Sequence, residues 1–142
     1  MTCPFCEIAQ GRGNAQVVLE NPKNLAFLDA RPVFPGHTLL IPKAHYATMA
    51  DLPESEIGSL FADARRLAMA VETAMAAEGT FVAVNNRVSQ SVPHLHVHVV
   101  PRRRKDGLRG FFWPRQPYRS TEEMASVADG IRAALALARH ES

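Results

Sequence analysis

Residues 92–101 read VPHLHVHVVP, and three of the chain's six histidines, His94, His96 and His98, fall at alternate positions of this apolar run. Side chains at i, i+2 and i+4 of a strand share one face, about 7 Å apart at a rise of about 3.3 Å per residue. The imidazoles are therefore expected to form a row, while Val97 and Val99 point the other way and pack under a helix. The strand is therefore expected to have one apolar face and one histidine face. Three accounts of the row compete. Core histidines satisfied by backbone partners explain one or two of them, but three in register leave many ring nitrogens to match. Alternate histidines on a strand also suit a zinc or iron site. In the third account one neutral imidazole is a nucleophile, and its neighbours orient it and handle protons.

The rest of the chain supplies the sheet. QVVLE (16–20), LAFLD (25–29), HTLLIP (37–42), TFVAVN (80–85) and LHVHVV (95–100) read as short strands rich in Val, Leu and Phe and bounded by turn residues. Asn21-Pro22-Lys23-Asn24 is a hairpin turn, and Arg31-Pro32-Val33-Phe34-Pro35-Gly36 is a stiff, proline-framed loop into the third strand. Short links predict an antiparallel meander. A long helix is expected to open at Asp51 with Glu54 in the capping position. It buries Ile57, Leu60, Phe61, Ala64, Leu67, Ala68, Val71 and Met75, and Gly79 closes it. A second helix starts at Ser120 with Glu123 capping, and its expected buried stripe is Met124, Val127, Ile131, Leu135 and Ala138. The fold class is α+β: a mostly antiparallel sheet of about five strands, one long helix packed on it and a C-terminal helix.

With 142 residues, 46% of them hydrophobic, the chain is expected to form one domain over 1–142. A formal net charge of +2 is well short of what announces a nucleic-acid polymer as partner. No run approaches the roughly 20 apolar residues of a membrane span, and the N-terminal MTCPFCEIAQGRG is unlike a leader, so a soluble, cytoplasmic protein is expected. The basic run Arg102-Arg103-Arg104-Lys105 reads as a solvated turn, with attraction of polyphosphate as the rival. Phe111-Phe112-Trp113 is an aromatic patch suited to a partner subunit.

His94-Leu95-His96-Val97-His98-Val99-Val100 resembles the signature of the histidine triad (HIT) nucleotide hydrolases and transferases at every position. CPFCEI at the N-terminus, FLDARPVFPGHTLLIPKAHY (27–46) and SQSVPHLHVHVVPR (89–102) extend the likeness, in the family's order. The forty C-terminal residues carry no such signature. The resemblance implies a hydrolase acting at the α-phosphate of nucleoside phosphoramidates or dinucleoside polyphosphates. His96 would be the nucleophile that forms a nucleotidyl-histidine, with His94 and His98 sharing the catalytic assignment. It further implies that His98 and His37 lie near the phosphate, that Gln90 and Ser91 bind phosphate oxygens or the leaving group, and that Asp29 holds the ribose hydroxyls. A carboxylate accepting from two vicinal hydroxyls makes charge-assisted bonds. Phe5, Ile8, Phe27 and Leu28 would line the base pocket, although such residues are ordinary core elsewhere. The family's phosphate-binding asparagine falls at Asn85 or Asn86, Asn85 preferred. Only four residues separate it from Gln90, a shorter loop than in the best-known members.

Cys3-Pro-Phe-Cys6 has the spacing of a metal knuckle, with a redox pair or two unpaired thiols as alternatives. By resemblance to the zinc-carrying bacterial branch of the family, Cys3, Cys6, His45 and His94 would form a structural Cys2His2 zinc site, and no organic cofactor is implied. The implied partners are a purine nucleotide substrate and a second copy in a homodimer, not a membrane. Two rivals stand beside this reading: a zinc-stabilised nucleotide-binding or interaction module with little turnover, and a metalloenzyme using the whole histidine row as ligands.

Overall fold

The computed structural model of the chain describes residues 2–110 and 113–141. Two compact units are present, residues 1–106 and 107–142. The first opens with the short helix α1 (Pro4–Ala9), which Pro4 starts because its missing N–H costs nothing in a first turn. Five strands follow: β1 (Val17–Glu20), β2 (Asn24–Leu28), β3 (Thr38–Pro42), β4 (Gly79–Val84) and β5 (Val97–Arg102). All pair antiparallel, in the order β1-β2-β3-β5-β4. The expected meander holds for the first three strands. The helix α2 (Glu54–Ala74) then carries the chain to the far edge, and β5 returns between β3 and β4.

Alternation gives the sheet two packed faces. Ala26, Leu40, Val97 and Val99 meet Leu60, Ala64, Leu67 and Val71 of α2 on one. Leu25, Phe27, Leu39 and Ile41 meet Phe5 on the other, with Ile8 and Val92 at the margin. The β1–β2 hairpin turns on Asn21, whose Oδ1 accepts from the backbone N–H groups of Lys23 and Asn24. Asn21 and Asn24 also donate through their side-chain amides to Asp63 Oδ2, each at 2.8 Å, tying the turn to α2.

Both ends of the long helix differ from expectation. Asp51 belongs to a separate 3-10 turn, Met49–Asp51, where it forms a reciprocal capping box with Thr48, and Pro53 precedes α2 itself. The Thr48-to-Asp51 spacing satisfies the same rule one turn earlier. Gly79 does not end the helix: α2 finishes at Ala74, Ala76 adopts a left-handed φ of 49°, and Gly79 begins β4. Ile57 and Phe61 are exposed on α2, and the stripe position between them and Ala64 is filled by buried Asp63.

In the second unit α3 spans Thr121–Glu141, with the Glu123 N–H donating to Ser120 Oγ as the cap predicts. Its expected buried stripe is not buried. Met124, Val127, Ile131 and Leu135 are all exposed, and the side chain of Ala138 lies outside the described residues. Periodicity identifies an apolar face and is silent on what covers it. Phe111 and Phe112 also lie outside the described residues, and Trp113 is exposed. Among the described residues no helix is long and apolar enough to cross a membrane.

Candidate active site

The triad histidines are placed less simply than a strand row. β5 begins at Val97, so only His98 sits within it, and His94 and His96 occupy the irregular segment just before it, His94 in a bend. His96 and His98 still neighbour each other, ring centroids 4.9 Å apart. His94 turns away toward the N-terminal cysteines.

Hydrogen bonds to backbone groups fix which ring nitrogen carries a proton, because a carbonyl only accepts and an amide N–H only donates. The Nδ1 of His96 lies 2.7 Å from the His94 carbonyl and must donate to it, which leaves Nε2 with the lone pair in the neutral ring. His94 Nε2 donates to the Pro42 carbonyl at 2.8 Å, so its Nδ1 lone pair faces outward. That lone pair is 3.5 Å from each of Cys3 Sγ and Cys6 Sγ, and Cys6 Sγ is 3.3 Å from His45 Nδ1. Bonds of about 2.3 Å to sulfur and about 2.0 Å to nitrogen put the edges of a zinc tetrahedron near ~3.5 Å. All four donor atoms lie within 4.8 Å of one another, so two thiols and two imidazoles fit a tetrahedral, thiophilic ion. Four protein ligands leave such an ion no open position for water.

A second close group, Asp29, His37 and His98, is a hydrogen-bonded chain instead of a metal cradle. The Val33 N–H donates to His37 Nδ1 at 3.1 Å, so the His37 proton is on Nε2, which lies 3.0 Å from His98 Nδ1 and 3.7 Å from Asp29 Oδ2. A protonated nitrogen cannot ligate a metal. Burial pushes His37 and His94 below the ordinary histidine range, in His37 against the opposing pull of Asp29. Burial, then the neighbouring His96 and His37, push His98 down to about 4. These rings are neutral at pH 7.

A cavity of about 490 Å³ opens on His96 and His98, within the range of small-ligand sites. Of the residues the sequence nominated, Phe5, Ile8, Phe27, Leu28, Asp29, Ser91, His96 and His98 line it together. The Phe5 ring stands edge-on, 5.1 Å from His96 and 5.3 Å from Phe27. Asp29 fixes its own loop as well, its Oδ1 accepting from the Arg31 N–H at 2.9 Å.

The other nominated residues stand outside the wall. His37 is 4% exposed and lies behind His98, with both ring nitrogens engaged. Gln90 braces two loops, accepting from the Arg87 N–H and donating to the Ala47 carbonyl. Asn85 donates to the Ser89 carbonyl and Asn86 accepts from the Met49 N–H. Asn14 and Gln16 line the cavity and were not nominated, because two amides in a polar segment carry no periodicity and no motif. A larger apolar groove of about 670 Å³ runs along Val18, Leu67, Met69 and Ala70. Apart from Arg66 nothing in it titrates, whereas the histidine cavity carries Asp29, His96 and His98.

Known proteins resemble this chain in sequence and fold. The chain is 35% identical over 133 residues to an adenosine 5'-monophosphoramidase of Schizosaccharomyces pombe, covering 92% of this chain and 96% of that protein. It is 33% identical over 94 residues to the asymmetrical bis(5'-nucleosyl)-tetraphosphatase of the same yeast, covering 65% of this chain and 52% of that one. A Zn-bound histidine triad family protein from Mycobacterium smegmatis superposes with a TM-score of 0.72 and 35% identity, over 100% of this chain and 99% of the other. The sequence profile of the HIT domain matches residues 10–105, from just after the cysteine pair through β5, and on that match the chain belongs to the HIT domain family.

Proposed function

We propose that this protein is a nucleotide hydrolase that cleaves at the α-phosphate of nucleoside phosphoramidates or dinucleoside polyphosphates through a nucleotidyl intermediate on His96. The observation that carries the reading is the 2.7 Å bond from His96 Nδ1 to the His94 carbonyl, which aims a lone pair at the cavity from Nε2. Attack by Nε2 forms the N–P bond, and the bond from phosphorus to the leaving group breaks. The positive charge gained by the ring is shared through Nδ1–H with the carbonyl. Water then attacks phosphorus and loses a proton, the N–P bond breaks with its pair returning to His96 Nε2, and a nucleoside monophosphate leaves. A purine base lies against Phe5, Ile8, Phe27 and Leu28, and Asp29 accepts from the ribose hydroxyls. Ser91 lies at the leaving-group side, with Gln90 and Asn85 shaping its loop.

Zinc on Cys3, Cys6, His45 and His94 would be structural: it would tie α1, which carries Phe5 and Ile8, to the segment entering β5. Support comes from the donor geometry and from the Zn-bound relative. A homodimer is part of the same reading, supported by the exposed apolar face of α3 and by the place of β4 as an outer strand of the sheet among the described residues. Light scattering after gel filtration, with Ile131→Asp beside the native chain, tests that part.

Incubation with an adenosine phosphoramidate and with a dinucleoside tetraphosphate, followed by nucleotide chromatography, tests the activity. Release of nucleoside monophosphate by the native protein and none by His96→Ala is expected. Binding without turnover of either substrate would instead make the protein a nucleotide-binding module.

A further inference from the structure

The side chains at the apolar end of the histidine cavity, Phe5, Ile8, Phe27 and Leu28, can cover the faces of a base but offer its edge no donor or acceptor. In the reading above Asp29 takes the ribose, and Ser91, His96 and His98 belong to the phosphate end. Two polar side chains on the cavity wall remain without a task, Asn14 and Gln16.

Both stand beside the apolar end. The Gln16 carbonyl accepts from the Leu28 N–H at 3.0 Å, which sets Gln16 next to Leu28. On the other flank a Cβ at Gly13 would collide with the Ile8 side chain, so the chain passes hard against Ile8 one residue before Asn14. The turn into this segment is fastened to α1, since the Arg12 N–H donates to the Glu7 carbonyl at 2.9 Å and the Arg12 guanidinium donates to the Glu7 carboxylate. Ala15, between the two amides, packs against the cluster of Phe5 and Phe27. Neither amide side chain has a hydrogen-bond partner among the described residues, so both are free to take a ligand.

We propose that Asn14 and Gln16 determine base specificity: their amides bracket the six-position edge of the base and select adenine over guanine. Asn14 and Gln16 are exposed on either side of half-buried Ala15, the alternation of an extended segment, so the two side chains share one side of it about 7 Å apart. Adenine presents on that edge, in order, the N7 acceptor, the two donors of the exocyclic amine and the N1 acceptor. Each amide supplies one donor and one acceptor, so two amides meet all four groups. Guanine presents two acceptors, N7 and O6, and then the N1–H donor, which leaves one amide carbonyl without a donor. Its 2-amino group adds a further donor that no side chain of the apolar end accepts. This selectivity rests on the base placement proposed above, yet it is read from binding alone.

Titration calorimetry of the full chain with adenosine, guanosine and purine riboside 5'-monophosphates tests it without requiring turnover. Purine riboside keeps N1 and N7 and lacks the exocyclic amine. Because one net hydrogen bond is worth about two- to tenfold in affinity, the native protein is expected to bind the adenosine nucleotide about tenfold more tightly than either of the others. In the Asn14→Ala, Gln16→Ala double variant the three affinities are expected to converge to within about twofold, through loss of the adenosine advantage. Should that variant misfold, the native ratios and the two single variants, each expected to lose part of the advantage, still decide. Equal affinities for the adenosine and guanosine nucleotides in the native protein overturn the inference. So does a folded double variant that weakens all three alike, the result a merely structural role predicts, and so does failure of the native protein to bind any of the three. Preference for adenosine without release of nucleoside monophosphate from a phosphoramidate leaves the edge reading standing and removes the proposed hydrolysis. Hydrolysis without that preference does the reverse.

Discussion

His96 and His98 are two residues apart and chemically identical, yet their rings meet different partners. The cause is local: just before β5 the His96 ring reaches the His94 carbonyl, whereas His98, inside the strand, pairs opposite Leu39 with its ring on His37. Their titration carries a stability consequence. His98 has a folded pKa of about 4 against an ordinary value of 6.5, so between those values the unfolded chain binds a proton that the folded chain refuses. The His98 contribution is complete above about pH 6.5 and is lost as pH falls toward about 4. His37, also pushed down by burial, acts in the same direction. Urea midpoints should therefore fall between pH 7 and pH 4.5, and His98→Gln should flatten part of that fall. Equal slopes in the two proteins would contradict the assignment. At this scale the sequence revealed the types of the key residues but not their tautomers. Those depend on which backbone groups arrive beside each ring, a property of tertiary structure.

Among the elements, the tie between the β1–β2 hairpin and α2 is the clearest feature hidden from pattern reading. Asp63 lies on the buried face of a helix whose other inward residues are apolar, and its partners are 39 and 42 residues away. Although burial pushes its carboxyl up, the amides of Asn24 and Asn21 and the guanidinium of Arg66 hold it below the ordinary range. Asp63→Ala strands two side-chain amides and should cost about 1–3 kcal/mol in urea denaturation. A change within a few tenths would mean that water replaces the carboxylate at no cost. The helix α1 makes a second element-scale prediction, since its two cysteines flank Phe5 and face His94. Zinc at about 100 times its dissociation constant should stabilise the chain by about 2.7 kcal/mol, and the Cys3→Ser, Cys6→Ser double variant should lose that gain. Equal stabilisation of both proteins would place the ion elsewhere. The strands and the two long helices were legible because period and turn chemistry agree, whereas the six-residue α1 is too short to show a period. The ends of α2 were misjudged because two capping signals, Thr48 with Asp51 and Asp51 with Glu54, overlap and only one is used.

For the whole molecule, the antiparallel α+β architecture follows from the sequence, but the insertion of β5 between β3 and β4 does not. Alternation specifies which face of a strand is buried and leaves its neighbours open. The same limit explains α3, whose apolar stripe is legible while its exposure is not. The cavity lies where α1, the end of β2, the start of β3 and the entry to β5 converge, and that convergence is what assembles Phe5, Asp29, Leu39, His96 and His98 from four separated segments. Its central use is tested most directly by intact-mass spectrometry of the protein quenched in acid-free denaturant during turnover of an adenosine phosphoramidate. A species heavier by one adenylyl group, mapped to His96 and absent from His96→Ala, is the predicted result. Turnover at native rates by His96→Ala, or an adduct mapped to another residue, would contradict it.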